Sequence, residues 1–338
     1  MLYKCKNKKT LIIAEAGVNH NNDLSLALQL CDAAKDSGAD VIKFQTWDTD
    51  KIITQDVRMA AYQEKNTGTD YSQYEMLKSL ELSYDGFRKV KEHCDNIGIT
   101  FASTADEKDS LDFLINLGIP FIKVGSGDIG NISYLRYIGS KKLPVILSTG
   151  MSSLADVDIS VSALMEGGAD DITLLHCTTN YPCSFDEVNL KAMKTLRDAF
   201  HLPVGYSDHT VGTEVAVSAV AMGATVIEKH FTLDKNMEGP DHIASTEPDE
   251  FAHMVRQIRN IEIALGDGIK RMTASEEEIR SVVTKRIVAQ KKIMTGELFS
   301  DDNVCVKRSE YGELASSWDN VVGRASNQDY IPNQGIMI

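Results

Sequence analysis

The chain has 338 residues, 43% hydrophobic and 25% charged, an ordinary composition for a globular protein and enough length for one large domain plus a small one. Its formal net charge of −14 argues against a general binder of nucleic acid or anionic membranes, which would show a basic stripe, but not against an anionic substrate held by a few placed lysines. Six scattered cysteines with no CxxC pair read as reduced, mostly buried thiols, and no segment approaches the roughly 18 apolar residues of a membrane span. The opening MLYKCKNKKTLIIAEAG looks briefly like a signal peptide. Glu15 interrupts its apolar stretch and no small-residue cleavage site follows, so the chain reads as cytoplasmic.

Eight short apolar runs then follow in chain order, each ending in residues able to do chemistry. LIIAE ends at Glu15, DVIKFQ carries Lys43 and Gln45, ITFAST ends in Ser103 and Thr104, and PFIKVGS carries Lys123 and Ser126. PVILSTG brings Ser148 and Thr149, and ITLLHCTTNY brings His176, Asn180 and Tyr181. PVGYSDH ends in Ser207, Asp208 and His209, and TVIEKH in Glu228 and His230. An ordinary buried strand needs no such ending. Helical patterns lie between the runs, from LSLALQLCDAAKDSGAD to EPDEFAHMVRQIRNIEIALG, and several stop at a glycine just before the next run. Strand and helix alternating at intervals of roughly 20–30 residues imply right-handed βαβ crossovers and a parallel sheet. The pattern predicts an α/β fold, a (β/α)₈ TIM barrel with its chemistry at the face where the polar ends gather.

The spacing breaks once. Residues 46–82 form an insertion after the second run, where a lid or substrate loop is expected and a plain helical excursion is the alternative. After Gly266 the character changes. Residues 1–266 read as the barrel, 267–284 as a charged linker, and 285–338 as a small, mostly β module that needs something to dock on.

Four groups of residues carry chemistry. His209 and His230 end consecutive runs, so two imidazoles should converge near Glu15, Asp208 and Glu228 and suit a divalent metal such as Mn²⁺ or Zn²⁺; two hydrogen-bonded histidines without a metal are the plain alternative. Lys43 and Lys123 lie inside apolar runs, where lysine is not buried without a partner. Ser103, Thr104, Ser126, Ser148, Thr149 and Ser207 surround them with hydroxyls, and Gly125, Gly127 and Gly150 let backbone amides approach, which suits a phosphate or carboxylate. The alternatives are that these lysines pair with Glu15 or Glu228 inside the barrel, or that one forms a Schiff base. Gln45, Asp128, Asn180, Tyr181 and GPDHIAS (Asp241, His242, Ser245) offer the mixed donors and acceptors a sugar needs, although loops are polar anyway. Arg308, in KRSEYG of the small module, is either a partner for a substrate carboxylate or a solvated charge.

AEAGVNH, KFQT, FIKVGSGD, ILSTGM, LLHCTTNYP, GYSDHT, VIEKHFTLD and GPDHIAS together resemble the sialic acid synthase family, which includes the N,N′-diacetyllegionaminate and pseudaminate synthases. The resemblance spans nearly the whole chain, and the small module is similar to the antifreeze-like (SAF) domain. It implies condensation of phosphoenolpyruvate with an N-acylated amino-sugar aldehyde, giving a nine-carbon α-keto acid and phosphate. It also implies a divalent metal on His209 and His230, Mn²⁺ foremost, with Mg²⁺ or Co²⁺ as other choices. Phosphoenolpyruvate would lie among Lys43, Thr104, Lys123, Ser126, Ser148, Asn180 and Ser207, and the sugar would meet Gln45, Asp128, Tyr181 and Asp241. Glu15 and Glu228 would stand by the metal and the reacting carbons, and Arg308 would reach the other subunit of a domain-swapped homodimer.

The chain departs from the family pattern at Asp128, where the family often has Glu, and at KRSEYG, where it usually reads KRPGxG; the latter loosens the loop that holds Arg308. GPDHIAS looks more like the N-acetylneuraminate and diacetyllegionaminate branches than the pseudaminate one, and the insertion AAYQEKNTGTDYSQYEMLKSLEL resembles that of diacetyllegionaminate synthases. A pseudaminate synthase, a Schiff-base lysine aldolase and a non-catalytic carbohydrate-binding protein are the rival readings.

Overall fold

A computed structural model describes residues 9–59 and 72–338 of the chain. Residues 1–8 of the leader-like opening, Cys5 among them, and residues 60–71 of the insertion lie outside the described residues. The chain divides into two compact units, Met1–Gly266 and Asp267–Ile338.

In the first unit, strands β1 (Leu11–Gly17), β2 (Val41–Thr46), β3 (Thr100–Ala105), β4 (Ile122–Val124), β5 (Val145–Ser148), β6 (Ile172–His176), β7 (Val204–Asp208) and β8 (Val226–His230) close a parallel barrel in sequence order. The fold is a (β/α)₈ barrel. Its register aligns the polar ends, pairing Glu15 with both Lys43 and His230, Gln45 with Thr104, Thr104 with Lys123, and Ser207 with Glu228.

Alternation along each strand sorts the side chains. Leu11, Ile13, Val41, Ala102, Phe121, Ile146, Leu175 and Val226 point inward and fill the lower barrel. The next inward positions, two residues on, are Glu15, Lys43, Thr104, Lys123, Ser148, Cys177 and Glu228, so the same face turns from apolar to polar near the C-terminal ends. Gly205 is the inward position of β7 at the apolar level, where a Cβ would lie 2.4 Å from the Val226 carbonyl oxygen and 2.6 Å from Leu175 Cδ2. Outward residues such as Ile12, Ile42, Phe44, Phe101 and Leu147 form the layer beneath the helices.

The surrounding helices are α1 (Leu24–Asp36), α2 (Thr49–Ile52), α3 (Gln73–Leu80), α4 (Tyr84–Ile97), α5 (Lys108–Leu117), α6 (Ile132–Ser140), α7 (Leu154–Gly167), α8 (Ala192–Phe200), α9 (Glu214–Ala221) and α10 (Pro248–Ala264). Caps fix their starts: the Asp23 carboxylate accepts from the Ser25 amide before α1, and Ser153 and Asp156 form a capping box at α7. α6 has no counterpart among the helical patterns read from the sequence. It is short and contains Gly139, yet that glycine is what seats it: a Cβ there would stand 2.2 Å from the Leu164 carbonyl oxygen of α7. The described flanks of the insertion, α2 and α3, close over a small cluster of Val18, Trp47, Met59, Met76 and Leu80.

The second unit begins with helix α11 (Ala274–Val283), none of whose residues is buried, in the stretch expected to be a charged linker. Strands β9 (Lys285–Ala289) and β10 (Val304–Arg308) pair antiparallel over a core of Ile287, Ala289, Ile293, Phe299, Val304, Val321, Tyr330 and Ile336. Among the described residues no helix is long and apolar enough to cross a membrane.

Candidate active site

The polar strand ends enclose a cavity of about 150 Å³ at the C-terminal end of the barrel. Its walls include Glu15, Lys43, Gln45, Thr104, Lys123, Ser126, Ser148, Tyr181, Ser207, His209, Glu228 and His230. A larger groove of about 570 Å³ runs between the starts of α7 and α8 and shares only Met151, Cys177 and Thr179 with it. The smaller cavity holds the ionisable groups and is the chemical centre.

Four buried charges form its floor. Lys43 Nζ lies 2.6 Å from Glu15 Oε2 and 3.7 Å from Glu228 Oε2, and donates to Thr104 Oγ1 at 3.0 Å. Lys123 Nζ donates to Ser148 Oγ at 2.8 Å and stands 3.5 Å from Glu228 Oε1, which accepts from Ser207 Oγ at 2.9 Å. These contacts are the lysine–carboxylate pairing named as an alternative to anion binding, and they leave both lysines lining the cavity. Burial pushes Glu15 up to about 7 against the pull of Lys43. Burial would raise Glu228 as well, but Lys123 and Lys43 together hold it down at about 2. Lys123 is pushed below its usual range by burial, whereas for Lys43 the Glu15 and Glu228 charges outweigh burial and raise it. The two carboxylates therefore differ: the two lysines favour the anion of Glu228, whereas burial favours the protonated form of Glu15.

Opposite the lysines, the rings of His209 and His230 lie 5.5 Å apart, with Tyr181 4.2 Å from His209. The Thr178 carbonyl oxygen lies 2.6 Å from His209 Nδ1, so that nitrogen carries the proton and Nε2 keeps its lone pair. His230 Nδ1 is buried without a hydrogen-bond partner. Burial lowers both imidazoles, keeping them neutral. Neutral rings with spare lone pairs, one oriented by a carbonyl, are the donor chemistry a divalent ion requires. Among the described residues no group of three or more His, Cys, Asp or Glu is placed to hold a metal ion. Asp241 stands close by, its Oδ2 3.9 Å from His230 Nδ1, and burial raises it to about 6.

Gln45 donates to Glu15 Oε1 at 3.1 Å, linking the expected sugar side to the charged floor. Ser126 Oγ accepts from the Gly150 amide at 2.9 Å, and a Cβ on Gly150 would fall 2.3 Å from Thr179 Oγ1 and 2.9 Å from Ser126 Oγ. Gly150 thus keeps this end of the cavity open.

Several expected residues sit elsewhere. Asn180 is exposed and donates to Glu187 Oε2 at 3.1 Å; Thr179 lines the cavity in its stead, with a buried, unpartnered hydroxyl. Asp208 points out of the barrel, where Lys229 Nζ donates to it at 2.8 Å, so its carboxylate is paired there and does not line the cavity with the histidines. Ser103 also faces outward, 2.7 Å from Thr46 Oγ1, and Thr149 donates to the Leu175 carbonyl at 2.9 Å. His176 lies 2.7 Å from the Val188 carbonyl and is structural. Asp128 ends the 3₁₀ turn Ser126–Asp128, of which Ser126 and Gly127 line the cavity and Asp128 does not; its Oδ1 accepts from Asn131 Nδ2 at 3.0 Å. His242 and Ser245 brace their own loop through Thr232 and Asn19. Arg308 is exposed at the end of β10 in the second unit. Cys177, Thr179 and Met151 line the cavity without having been singled out from the sequence, although Cys177 and Thr179 lie within LLHCTTNYP.

Comparison with known proteins gives a consistent answer. Residues 30–270 match the NeuB family. The chain is 48% identical over 325 residues to the N,N'-diacetyllegionaminic acid synthase of Campylobacter jejuni, covering 96% of this chain and 97% of that protein. It is 47% identical to the enzyme of the same name from Legionella pneumophila, covering 92% of this chain and 89% of that one. A crystal structure of N-acetylneuraminic acid (sialic acid) synthetase from Leptospira borgpetersenii, in complex with citrate, superposes with a TM-score of 0.70 at 35% identity, covering 80% of this chain and 90% of that chain.

Proposed function

This chain belongs to the NeuB family, and on that premise we propose that it condenses phosphoenolpyruvate with an N-acylated amino-sugar aldehyde, giving a nine-carbon α-keto acid and phosphate. The observation that carries the reading is a single cavity with two buried lysines and their hydroxyls on one side and two neutral histidines on the other. The relatives named above favour 2,4-diacetamido-2,4,6-trideoxymannose as acceptor and N,N′-diacetyllegionaminate as product. The second unit reads as an SAF module of a domain-swapped homodimer, with Arg308 acting in the partner's site.

In this scheme Lys43 and Lys123, with Thr104, Ser126, Ser148, Thr179 and Ser207, hold the carboxylate and phosphate of phosphoenolpyruvate. Two cations suit its anionic groups, and binding it relieves the pairing of the lysines with Glu15 and Glu228. Gln45, Asp128, Tyr181 and Asp241 orient the sugar so that its aldehyde carbon meets C3 of phosphoenolpyruvate. C3 attacks that carbon, a C–C bond forms as the C=O π bond breaks, and the aldehyde oxygen takes the proton held by Glu15 to become a hydroxyl, leaving Glu15 as the carboxylate. C2 is left electron-deficient, and the fixed negative charge of Glu228 lies in the same cavity. Glu15 takes a proton from the water that captures C2, and cleavage of the C2–O bond then expels phosphate and leaves the keto group. His209 and His230 would hold a divalent ion, Mn²⁺ foremost, which supplies Lewis-acid polarisation of the aldehyde oxygen.

The test is kcat/KM for 2,4-diacetamido-2,4,6-trideoxymannose against N-acetylmannosamine, measured as phosphate released. A preference of about tenfold or more for the diacetamido sugar is expected. Equal use would move the assignment to the N-acetylneuraminate branch, and no release with either would end the reading. A lysine adduct trapped by borohydride would favour the aldolase alternative, for which the lowered proton affinity of Lys123 speaks.

A further inference from the structure

Asn19 lies just past β1 in AEAGVNH and is 1% exposed; its backbone amide donates to the Ala16 carbonyl at 2.8 Å and turns the chain off the strand. The side chain reaches across the seam between β1 and β8, the two strands that close the barrel. Asn19 Nδ2 donates to the Phe231 carbonyl at 2.9 Å and to Ser245 Oγ at 2.9 Å. The Ser245 hydroxyl in turn donates to the Asp241 carbonyl at 2.7 Å. One amide group therefore ties together the exit of β1, the residue after His230 and the loop that carries Asp241.

The direction of each bond in this relay is fixed. The hydroxyl hydrogen of Ser245 is committed to Asp241, so its oxygen accepts from Asn19, and a carbonyl can only accept. Both side-chain hydrogens of Asn19 are thus in use, and turning the amide over would set its oxygen against two acceptors. The far limb of the loop is held separately by the backbone, where the Thr246 amide donates to the His230 carbonyl at 2.8 Å. The near limb, at Asp241, is held by the relay from Asn19. What it holds is part of the site: Asp241 Oδ2 lies 3.9 Å from His230 Nδ1. A Cβ on Gly17 would stand 3.8 Å from that same oxygen and 3.3 Å from Gln45 Nε2, which places the Asp241 carboxylate at the corner of the cavity where Gln45 lies.

We propose that Asn19 is a positioning residue for the acceptor sugar, setting through Ser245 the backbone of Asp241, and with it the place of the Asp241 carboxylate against the end of β8. The inference deepens the condensation argued above and rests on it. Lys43 and Lys123, with Thr104 and Ser148, stand opposite the histidines and make no bond to this relay, so Asn19 bears on the sugar rather than on phosphoenolpyruvate.

The experiment measures steady-state kinetics of the full chain by phosphate release, with the diacetamido sugar and N-acetylmannosamine as acceptors. Asn19→Ala removes both donors and is expected to raise KM for the sugar by about tenfold while leaving KM for phosphoenolpyruvate within about twofold. Ser245→Ala breaks only the link to Asp241 and should raise the sugar KM by about fivefold; it makes the same comparison if Asn19→Ala loses its cooperative melt. In an Asp241→Ala chain, adding Asn19→Ala should lower kcat/KM for the sugar by less than about threefold further, because the residue acts through Asp241. A sugar KM within about twofold of the parent in the folded variants, KM values for both substrates rising together, or a full tenfold loss persisting in the Asp241→Ala chain would overturn the inference while leaving the condensation standing. A parent chain that releases no phosphate with either sugar would overturn the condensation, and this positioning role with it.

Discussion

Replacing Lys43 by Met removes the cation shared by two buried carboxylates. Lys43 is 2% exposed, with Glu15 at 2.6 Å and Glu228 at 3.7 Å. At an effective dielectric of about 20, those separations correspond to attractions of about 6 and about 4.5 kcal/mol. Dehydrating the ammonium cancels much of this gain, and Met recovers that cost. What remains is the penalty of two carboxylates facing one another with Lys123 alone between them, about 3–5 kcal/mol. Glu15→Gln in the same chain removes one of the stranded charges and should recover at least half of the loss, whereas independent sites would simply add. The assay is urea unfolding in a Trp318→Phe background, where Trp47, 3% exposed in the barrel unit, is the remaining tryptophan reporter. Condensing activity should fall by about 100-fold or more in either variant. A Lys43→Met chain within about 1 kcal/mol of its parent, or a double variant no better than the single one, would refute the buried-network argument.

Thr179→Val should raise KM for phosphoenolpyruvate by about tenfold, and Asn180→Ala should change it by less than about twofold; steady-state kinetics checks both. Gly150→Ala puts a methyl 2.3 Å from Thr179 Oγ1 and should cost at least about tenfold in kcat/KM with little change in melting temperature. Lys229→Met strands the buried carboxylate of Asp208 and should cost about 3–5 kcal/mol in urea unfolding, with Asp208→Asn in the same chain restoring part of it. Burial pushes the Asp106 carboxyl up to about 7, above the ordinary 3.8, so the folded chain binds the extra proton. The stability this contributes is complete below 3.8 and is lost as pH rises through about 7; Asp106→Asn should therefore gain stability relative to its parent over that window in urea titrations at several pH values.

The barrel was readable because its signal is physical and local: apolar runs with polar ends, separated by helical periods. Lys43 and Lys123 stood out because nothing but a charged partner or ligand keeps lysine inside such a run. The same alternation, followed strictly, also turns Asp208 away from the histidines, since Ser207 and His209 take the inward side and leave it to Lys229. Asn180 was not readable in this way. It lies beyond the end of β6, where the ladder no longer dictates which side a residue takes, and the loop turns Thr179 inward. α6 escaped because Gly139, a poor helix former in isolation, is required by a contact with α7 that lies far off in sequence.

The account stands on a C–C bond formed at C3 of phosphoenolpyruvate and on cleavage between C2 and the bridging oxygen. Phosphoenolpyruvate isotopically labelled in that bridging oxygen, incubated with the chain and 2,4-diacetamido-2,4,6-trideoxymannose, tests both at once by mass spectrometry of the products. The expected result is one phosphate per nine-carbon keto acid, with the label wholly in the phosphate. Label retained in the keto acid, or phosphate released without a nine-carbon product, would contradict it.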